Sequence, residues 1–241
     1  MEVNAKNLTV DVYFRGLAGR IEGKYFNHPK RGSPAVLILP PDPRYGGNLD
    51  NVIVKKIEEV FINCGFTVLR INYRGVKHSD GVFNDKDDAI YDASVALDWL
   101  QEQNPDASHF WIAGYSFGAW VSTNVMIRRP EIETFVLVSP LANRYNYTFL
   151  YPCLCPGLII AGNQDNFTPL EDVEKMVYHM NESALNITTL SVIDGADHLY
   201  KDRREQMAQE LENYINIKLA TRIAQPVRKK RRKRKRKDSI I

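Results

Sequence analysis

The stretch WIAGYSFGAW, residues 111–120, decides the fold because a serine stands between two glycines where an apolar run gives way to a helical one. Gly114, Ser116 and Gly118 fit the pattern G-x-S-x-G, which is typical of a sharp strand-to-helix turn that lifts a serine hydroxyl above a sheet. Glycine is needed on both sides because the turn brings backbone segments too close for a Cβ. Since the pattern arises by chance in about one chain in ten of this length, partners of Ser116 must be sought elsewhere.

The rest of the chain predicts alternating strands and helices around this turn. Apolar and β-branched runs that favour strands occupy residues 8–14, 21–26, 35–39, 67–72, 110–113, 135–139, 158–161 and 188–193. Segments with helical spacing occupy residues 51–63, 87–103, 117–129, 170–180 and 202–218. An antiparallel start followed by alternating strand and helix predicts an α/β fold, with a mostly parallel sheet of about eight strands covered by helices on both faces.

The 241-residue chain divides by charge into an acidic body and a basic tail. Residues 228–237 are ten consecutive Lys or Arg, and without residues 228–241 there remain 22 basic and 28 acidic residues, a net charge of −6. Nothing after Pro226 has apolar periodicity. We therefore expect an α/β domain over residues 1–220 and a disordered basic tail over 221–241. The tail either contacts phosphates of nucleic acid or anionic lipid, or acts as a nuclear address in a eukaryotic cell, or is only a solvated extension.

Cysteine usage and hydropathy predict a soluble protein of the cytoplasm. The three cysteines, Cys64, Cys153 and Cys155, are odd in number and too few for a disulfide framework, which favours a reducing compartment. The opening residues MEVNAKNLTV lack the basic and apolar regions of a signal peptide, and no apolar run approaches the ~18 residues of a membrane helix. A C-x-C pair without further ligands is a poor metal site, so we expect no metal and no other cofactor.

A nucleophilic serine needs a base to take its proton and an acid to orient that base. Of the five histidines, only His198 follows a predicted strand at its carboxyl end, where open α/β sheets place their sites. Asp165 ends the preceding strand in the same way. Ser116, Asp165 and His198 are therefore the predicted catalytic triad. Asp194 is kept as a weaker alternative acid, and Asp197 is disfavoured because it adjoins His198 and would have difficulty reaching the far ring nitrogen.

An acyl-transfer site also needs donors for the developing oxyanion and a pocket for the substrate. One predicted donor is the backbone N–H of Phe117, directly after the serine. The other comes from the loop PPDPRYGGNLDN at 40–51, where three of the first four residues are prolines and only Asp42 has an N–H to donate. Three aromatic residues near the predicted loops are candidates for the lining of an apolar substrate pocket: Tyr45, Tyr145 and Phe167.

With these motifs in place, the chain resembles a small bacterial α/β-hydrolase, similar to a group related to dienelactone hydrolases and to the catalytic domains of prolyl oligopeptidases. The resemblance spans roughly residues 8–217. It rests on PPDPRYGGNLDN at 40–51, NYRGVKHSDG at 72–81, DWL at 98–100, GYSFG at 114–118, GNQD at 162–165 and GADH at 195–198. It implies the α/β-hydrolase fold with a Ser-His-Asp triad. Only about fifteen residues separate the predicted strand that ends at Ser139 from Pro156, too few for a separate cap domain.

The first loop departs from the family pattern, in which His-Pro-His-Pro usually precedes an aromatic residue and two glycines. Pro40 and Asp42 replace the two histidines. The N–H of residue 42 survives the change, but an acidic side chain near the oxyanion is expected to weaken transition-state stabilisation or alter substrate choice.

These sequence features support two alternative hypotheses about function. The first is a serine hydrolase, carboxylesterase-like, that cleaves small esters or related acyl substrates through an acyl-enzyme. The second is a catalytically silent hydrolase-like module held on nucleic acid or anionic membrane by its tail, with residues 228–237 as the contact. The sequence does not distinguish ester, thioester, lactone and peptide substrates, and it leaves the oligomeric state open.

Overall fold

An antiparallel hairpin leads into a parallel sheet in the computed structural model, which describes residues 9–151, 153–183 and 188–224. The eight strands lie in the order β1-β2-β4-β3-β5-β6-β7-β8. They are β1 (Thr9–Gly16), β2 (Gly19–Phe26), β3 (Ala35–Leu39), β4 (Thr67–Ile71), β5 (Phe110–Tyr115), β6 (Ile132–Val138), β7 (Gly157–Gly162) and β8 (Thr188–Ile193). β2 pairs antiparallel with β1 and β4, and every other pairing is parallel. The expected mostly parallel sheet is confirmed.

Five helices cover the two faces of this sheet. They are α1 (Val52–Asn63), α2 (Lys86–Gln103), α3 (Phe117–Met126), α4 (Leu170–Ser183) and α5 (Arg204–Ala224). Apolar residues of α2, α3 and α4 pack on one face, and those of α1 and α5 pack on the other. Because each buried Leu, Ile or Val contributes about 1.5–3 kcal/mol, these two clusters stabilise the fold. No helix in the described part of the chain is both long enough and apolar enough to span a membrane.

Local sequence explains where the helices begin and end. The Asn51 side chain accepts hydrogen bonds from the N–H groups of Ile53 and Val54, which caps α1 at its predicted start. α3 ends at Met126, three residues earlier than predicted, because the N–H groups of Arg128 and Arg129 bond the carbonyls three residues back and tighten the chain into a turn.

The last helix extends past the predicted domain boundary. α5 continues to Ala224, four residues beyond the expected end of the domain at residue 220. Its final turn is tied to the body because Arg222 donates to the Ser108 carbonyl and pairs with Glu133. The remainder of the expected tail, from residue 225, lies outside the described residues.

Sheet order brings the candidate site residues to one edge. Ser116 follows β5, and the loop that contains Asp42 follows β3, the neighbour of β5. Asp165 and His198 follow the adjacent strands β7 and β8. The connection from β6 to β7, residues 139–156, holds only a short 3₁₀ helix (Thr148–Leu150) in its described part. The protein therefore has the α/β-hydrolase fold without a separate cap domain.

Candidate active site

Ser116, His198 and Asp165 meet at the carboxyl edge of the sheet. The Nε2 atom of His198 lies 3.0 Å from the Ser116 Oγ, and the Nδ1 atom lies 2.7 Å from the Asp165 Oδ2. Each of the three residues is less than a tenth exposed. Both distances are within hydrogen-bond range, so the imidazole can receive the hydroxyl proton on one side while the carboxylate holds its other nitrogen.

The turn that carries Ser116 is strained, and the flanking glycines make it possible. Ser116 has φ 57° and ψ −116°, a backbone conformation that costs about 1–3 kcal/mol in a residue with a side chain. Its N–H donates to the Val138 carbonyl across to β6. A Cβ on Gly114 would collide with the Gly118 carbonyl, and a Cβ on Gly118 would collide with the Leu39 carbonyl. Gly118 therefore lets the loop after β3 lie directly against the serine turn.

Asp165 divides its two oxygens between the loop and the imidazole. Its Oδ1 accepts the N–H groups of Phe167 and Thr168 at 2.8 and 3.1 Å, and its Oδ2 faces His198. Burial by itself would raise the pKa of Asp165, but the hydrogen bond and charge of His198 and the two backbone donors hold that pKa below its usual range. The carboxyl group therefore stays ionised and can stabilise an imidazolium.

His198 is held in place by contacts that the sequence pattern does not predict. The hydroxyl of Tyr115 donates to the His198 carbonyl at 2.8 Å, and the Phe167 ring lies 4.8 Å from the imidazole. Tyr115 occupies the first variable position of G-x-S-x-G, where any residue satisfies the pattern. In the sequence, the position of Tyr115 next to Ser116 is the feature that links this tyrosine to the site.

The structure brings Asp165, and not the alternative acid Asp194, to the imidazole. Asp194 Oδ1 accepts from the Asn163 side chain at 2.8 Å, and Asp197 Oδ1 accepts from the Lys201 N–H at 2.9 Å. Neither carboxylate bonds His198 in the described part of the chain.

The two predicted oxyanion donors lie on neighbouring segments. Asp42 and Ser116 line the same cavity, and Phe117 begins α3 directly after the serine. Neither N–H group donates to another backbone group among the described residues. The loop after β3 is fixed because the buried hydroxyl of Tyr73 donates to the Pro40 carbonyl at 3.2 Å. Both N–H groups are therefore available to a ligand at this edge.

The acidic side chain of Asp42 is paired with Arg44, and this contact bears on the expectation that the carboxylate weakens oxyanion stabilisation or alters substrate choice. The guanidinium of Arg44 binds it through Nε at 3.0 Å from Oδ1 and Nη2 at 2.7 Å from Oδ2. The Arg44 N–H also donates to Oδ1, so Asp42 caps the 3₁₀ helix Pro43–Tyr45. Arg44, two residues after Asp42 in the chain, therefore supplies a positive charge next to the acidic side chain.

All three predicted pocket residues line one cavity of about 480 Å³ together with Ser116 and His198. Tyr145 packs against the Trp120 ring, whereas Tyr45 and Phe167 are exposed at the mouth. Cavities of about 530 and 570 Å³ lie elsewhere, but neither is lined by the serine or the histidine. The cavity beside Ser116 is therefore the candidate site because, of these three, it is the one lined by the serine and the histidine. No group of three or more His, Cys, Asp or Glu suited to a metal ion occurs among the described residues.

Comparison with known proteins identifies a family and several relatives. A profile of the family described as X-Pro dipeptidyl-peptidase (S15 family) matches residues 22–235. The uncharacterized protein RP471 of Rickettsia prowazekii (strain Madrid E) is 38% identical over 208 residues, which cover 85% of this chain and 87% of the relative.

Solved structures share the fold of this chain. The protein of unknown function ATU1826 from Agrobacterium tumefaciens, described as a "putative alpha/beta hydrolase", matches with a TM-score of 0.85 and 38% identity, covering 88% of this chain and 97% of its own. An alpha-beta serine hydrolase homologue from Coxiella burnetii matches with a TM-score of 0.79 and 25% identity, covering 85% and 96%.

Proposed function

The chain belongs to the X-Pro dipeptidyl-peptidase (S15) family and is a hydrolase of the α/β serine hydrolase superfamily, and from this premise we propose that it cleaves small carboxylic esters through an acyl-enzyme. The observation that carries the proposal is the contact of one buried imidazole with both the Ser116 hydroxyl and the Asp165 carboxylate. A serine outside such a contact is a poor nucleophile, because nothing removes its proton as the new bond forms.

The reaction proceeds in two stages. In the first, Ser116 Oγ attacks the ester carbonyl carbon while its proton moves to His198 Nε2, and the imidazolium returns that proton to the departing alkoxide as the C–O bond breaks. In the second, a water molecule loses a proton to His198 Nε2 and attacks the acyl carbon; the bond between that carbon and Ser116 Oγ then breaks as the imidazolium returns the proton to Oγ, which releases the acid and restores the serine hydroxyl. Asp165 orients the ring and stabilises its charged form throughout.

The N–H groups of Phe117 and Asp42 are the proposed oxyanion donors. Negative charge develops on the carbonyl oxygen only as the tetrahedral intermediate forms, so donors at that position stabilise the transition state more than the substrate. Loss of one such donor typically lowers kcat by about 10²–10³-fold. Neither N–H has a backbone acceptor among the described residues, which supports this role.

The charge of the cavity favours an ester over an X-Pro peptide. An enzyme that removes a dipeptide from a chain terminus must bind a free α-ammonium group, and a carboxylate is the usual partner of such a group. Asp42 is the one acidic residue that lines the described cavity, and its charge is already taken by Arg44. The second candidate, a silent binding module, is disfavoured by the intact Ser-His-Asp contact.

A fluorophosphonate probe tests the proposal because it reacts covalently with activated serines. We expect labelling of the wild type and hydrolysis of p-nitrophenyl butyrate, with both lost in Ser116→Ala. The matched control is Ser122→Ala, since Ser122 is a buried serine of α3 whose hydroxyl donates to the Gly118 carbonyl outside the cavity. No label on the wild type, or equal labelling of Ser116→Ala, would refute the proposed activity and leave the silent module as the better description.

We also propose that the protein works in the cytoplasm. The three cysteines are free, and burial raises the pKa of Cys64 to about 11 and that of Cys155 to about 12. Thiols with such pKa values stay protonated and react slowly, as suits a protein that keeps them reduced. Fractionation of cells that express the chain tests the location, and recovery with the membrane or secreted fraction would contradict it.

A further inference from the structure

The cavity beside Ser116 carries one more positive charge than negative. Three side chains with permanent charge line it, namely Asp42, Arg44 and Arg144. The first two form a bidentate ion pair and cancel. Arg144 has no acidic partner within residues 9–151, 153–183 and 188–224. The remaining acid near the site, Asp165, is bonded to His198 and does not line the cavity.

The guanidinium of the exposed residue Arg144 lies near the imidazole. Its guanidinium carbon lies 5.6 Å from the centre of the Phe167 ring, and that ring lies 4.8 Å from the ring of His198. Asn143, the residue before it, donates from its side chain to the Phe167 carbonyl at 2.9 Å, which ties the segment after β6 to the Asp165 loop. The cation therefore stands one aromatic ring away from the histidine.

The contact with the Phe167 ring leaves the N–H donors of the Arg144 guanidinium unused. A cation over an aromatic ring is attracted by the electrons of the ring face and spends no hydrogen bond on the contact. The Arg144 side chain makes no hydrogen bond to any group in the described part of the chain. The donors on its edge are therefore free to form the two parallel hydrogen bonds that a carboxylate accepts.

We propose that Arg144 binds a carboxylate of the substrate, so that the enzyme prefers esters that carry a negative charge a few bonds from the scissile carbonyl. This inference rests on the proposed ester hydrolysis, because Ser116 defines where the scissile carbonyl lies. It assigns Arg144 as a residue that determines specificity, and it predicts the charge opposite to that of a peptide N-terminus. The exposed aromatic rings at the mouth contact the apolar part of the same substrate.

A matched pair of esters tests the preference. p-Nitrophenyl hexanoate and the mono-p-nitrophenyl ester of adipic acid have the same chain length and leaving group, and differ in a terminal methyl or carboxylate. We expect kcat/KM of the wild type to be about tenfold higher for the adipate ester, mainly through KM. In Arg144→Gln the ratio of kcat/KM for the adipate ester to that for the hexanoate ester falls to about one, and Arg144→Lys keeps part of the preference. Arg128→Gln removes the same charge two residues after the end of α3, and this variant keeps the full preference for the adipate ester.

The outcomes separate this inference from the proposed activity. Equal kcat/KM for the two esters in the wild type, or an equal loss for both esters in Arg144→Gln, overturns the role of Arg144 and leaves the hydrolase intact. If the fluorophosphonate probe labels Ser116 but both esters react too slowly to measure, a protection experiment replaces the kinetics. It compares how well phenylboronic acid and 4-carboxyphenylboronic acid protect Ser116 from the probe. Stronger protection by the carboxylated compound, lost in Arg144→Gln, supports the proposal, and equal protection refutes it. Absence of labelling refutes the activity itself, and the inference with it.

Discussion

At the scale of single residues, the pairing of Asp42 with Arg44 explains how an acidic residue can occupy the oxyanion loop. The Asp42 carboxylate is nearly buried, whereas the side chain of Arg44 is half exposed. The carboxylate belongs to the same residue as the proposed oxyanion donor and lines the same cavity as Ser116. The guanidinium of Arg44 pairs with that carboxylate and offsets its negative charge. Arg44 is therefore a positioning residue that acts through Asp42.

Replacing Arg44 by Gln exposes the oxyanion to the uncompensated charge of Asp42. We expect kcat for p-nitrophenyl butyrate to fall by about tenfold, since two like charges a few ångströms apart near a protein surface repel by several kcal/mol before solvent screening. KM should change little, because the oxyanion exists only in the transition state. Steady-state kinetics measures both parameters.

The rescue variant is Arg44→Gln combined with Asp42→Asn. The amide oxygen of asparagine can still cap the 3₁₀ helix, so the loop is retained while the charge is removed. We expect kcat to recover to within about threefold of the wild type. If the double variant is as slow as Arg44→Gln alone, the arginine acts on loop structure and the electrostatic explanation is wrong.

Sequence predicts the Ser116, Asp165 and His198 set better than it predicts these supporting contacts. The three residues follow parallel strands at their carboxyl ends, and strand order alone brings such positions to one edge. The Arg44 pair with Asp42 and the Tyr115 bond to the His198 carbonyl depend on side-chain directions in loops, for which no periodicity exists. These two contacts can be identified only in the three-dimensional structure.

At the scale of elements, β5 connects the serine turn to a buried titratable group at its other end. His109 immediately precedes β5 and packs against the rings of Phe66 and Trp111. Its Nδ1 faces the Ser108 hydroxyl at 2.9 Å, and its Nε2 has no partner among the described residues. Burial lowers the pKa of His109 from an ordinary 6.5 to about 4, and the charge of Arg222 adds to the effect while Glu133 opposes it.

This pKa predicts that acid destabilises the fold through His109. Below pH 6.5 the unfolded chain binds a proton that the folded chain refuses until about pH 4, so the free energy of unfolding falls as the pH is lowered through that window. Between pH 7.5 and pH 5 we expect a loss on the order of 2 kcal/mol from this residue. Urea unfolding of the wild type and His109→Gln at both pH values measures it. Equal losses in the two proteins would contradict the prediction.

Strand ends are predicted from sequence more accurately than helix ends. The apolar runs at β3 and β8 coincide with the observed strands to the residue; Pro34 and Pro40 bound β3, and Asp194 and Gly195 follow β8. The predicted end of α3 lies beyond the observed one, because a tightened last turn keeps helical spacing in the sequence. The predicted end of α5 falls short of the observed one, because the tertiary contact of Arg222 extends the helix where the spacing of apolar residues gives no signal.

At the scale of the whole molecule, the order of elements carries most of the information about the fold. Parallel neighbours need a crossover of a dozen or more residues, so strands separated by helical segments predict a parallel sheet with two covered faces. The short connection of residues 139–156 likewise predicts an uncapped cavity. The charge of that cavity could not be predicted, because Arg144 lies 100 residues after Arg44 in the chain and meets Asp42 and Arg44 only in the folded protein.

Charge along the chain divides it into an acidic body and a basic tail, and removal of residues 228–241 tests whether the two parts have separate roles. We propose that residues 228–237 contact phosphates of nucleic acid or anionic lipid, since ten consecutive cations release counterions on binding whereas a body of net charge −6 is repelled. The full chain should therefore bind a DNA duplex and anionic vesicles in low salt, with affinity that falls steeply as salt rises, and the truncated chain should bind neither. Hydrolysis of p-nitrophenyl hexanoate should be the same for both chains, because every proposed catalytic residue lies between Asp42 and His198. Retained DNA binding after truncation would place the contact on the body, and a parallel loss of hydrolysis would show that the tail acts on the site as well as on its location.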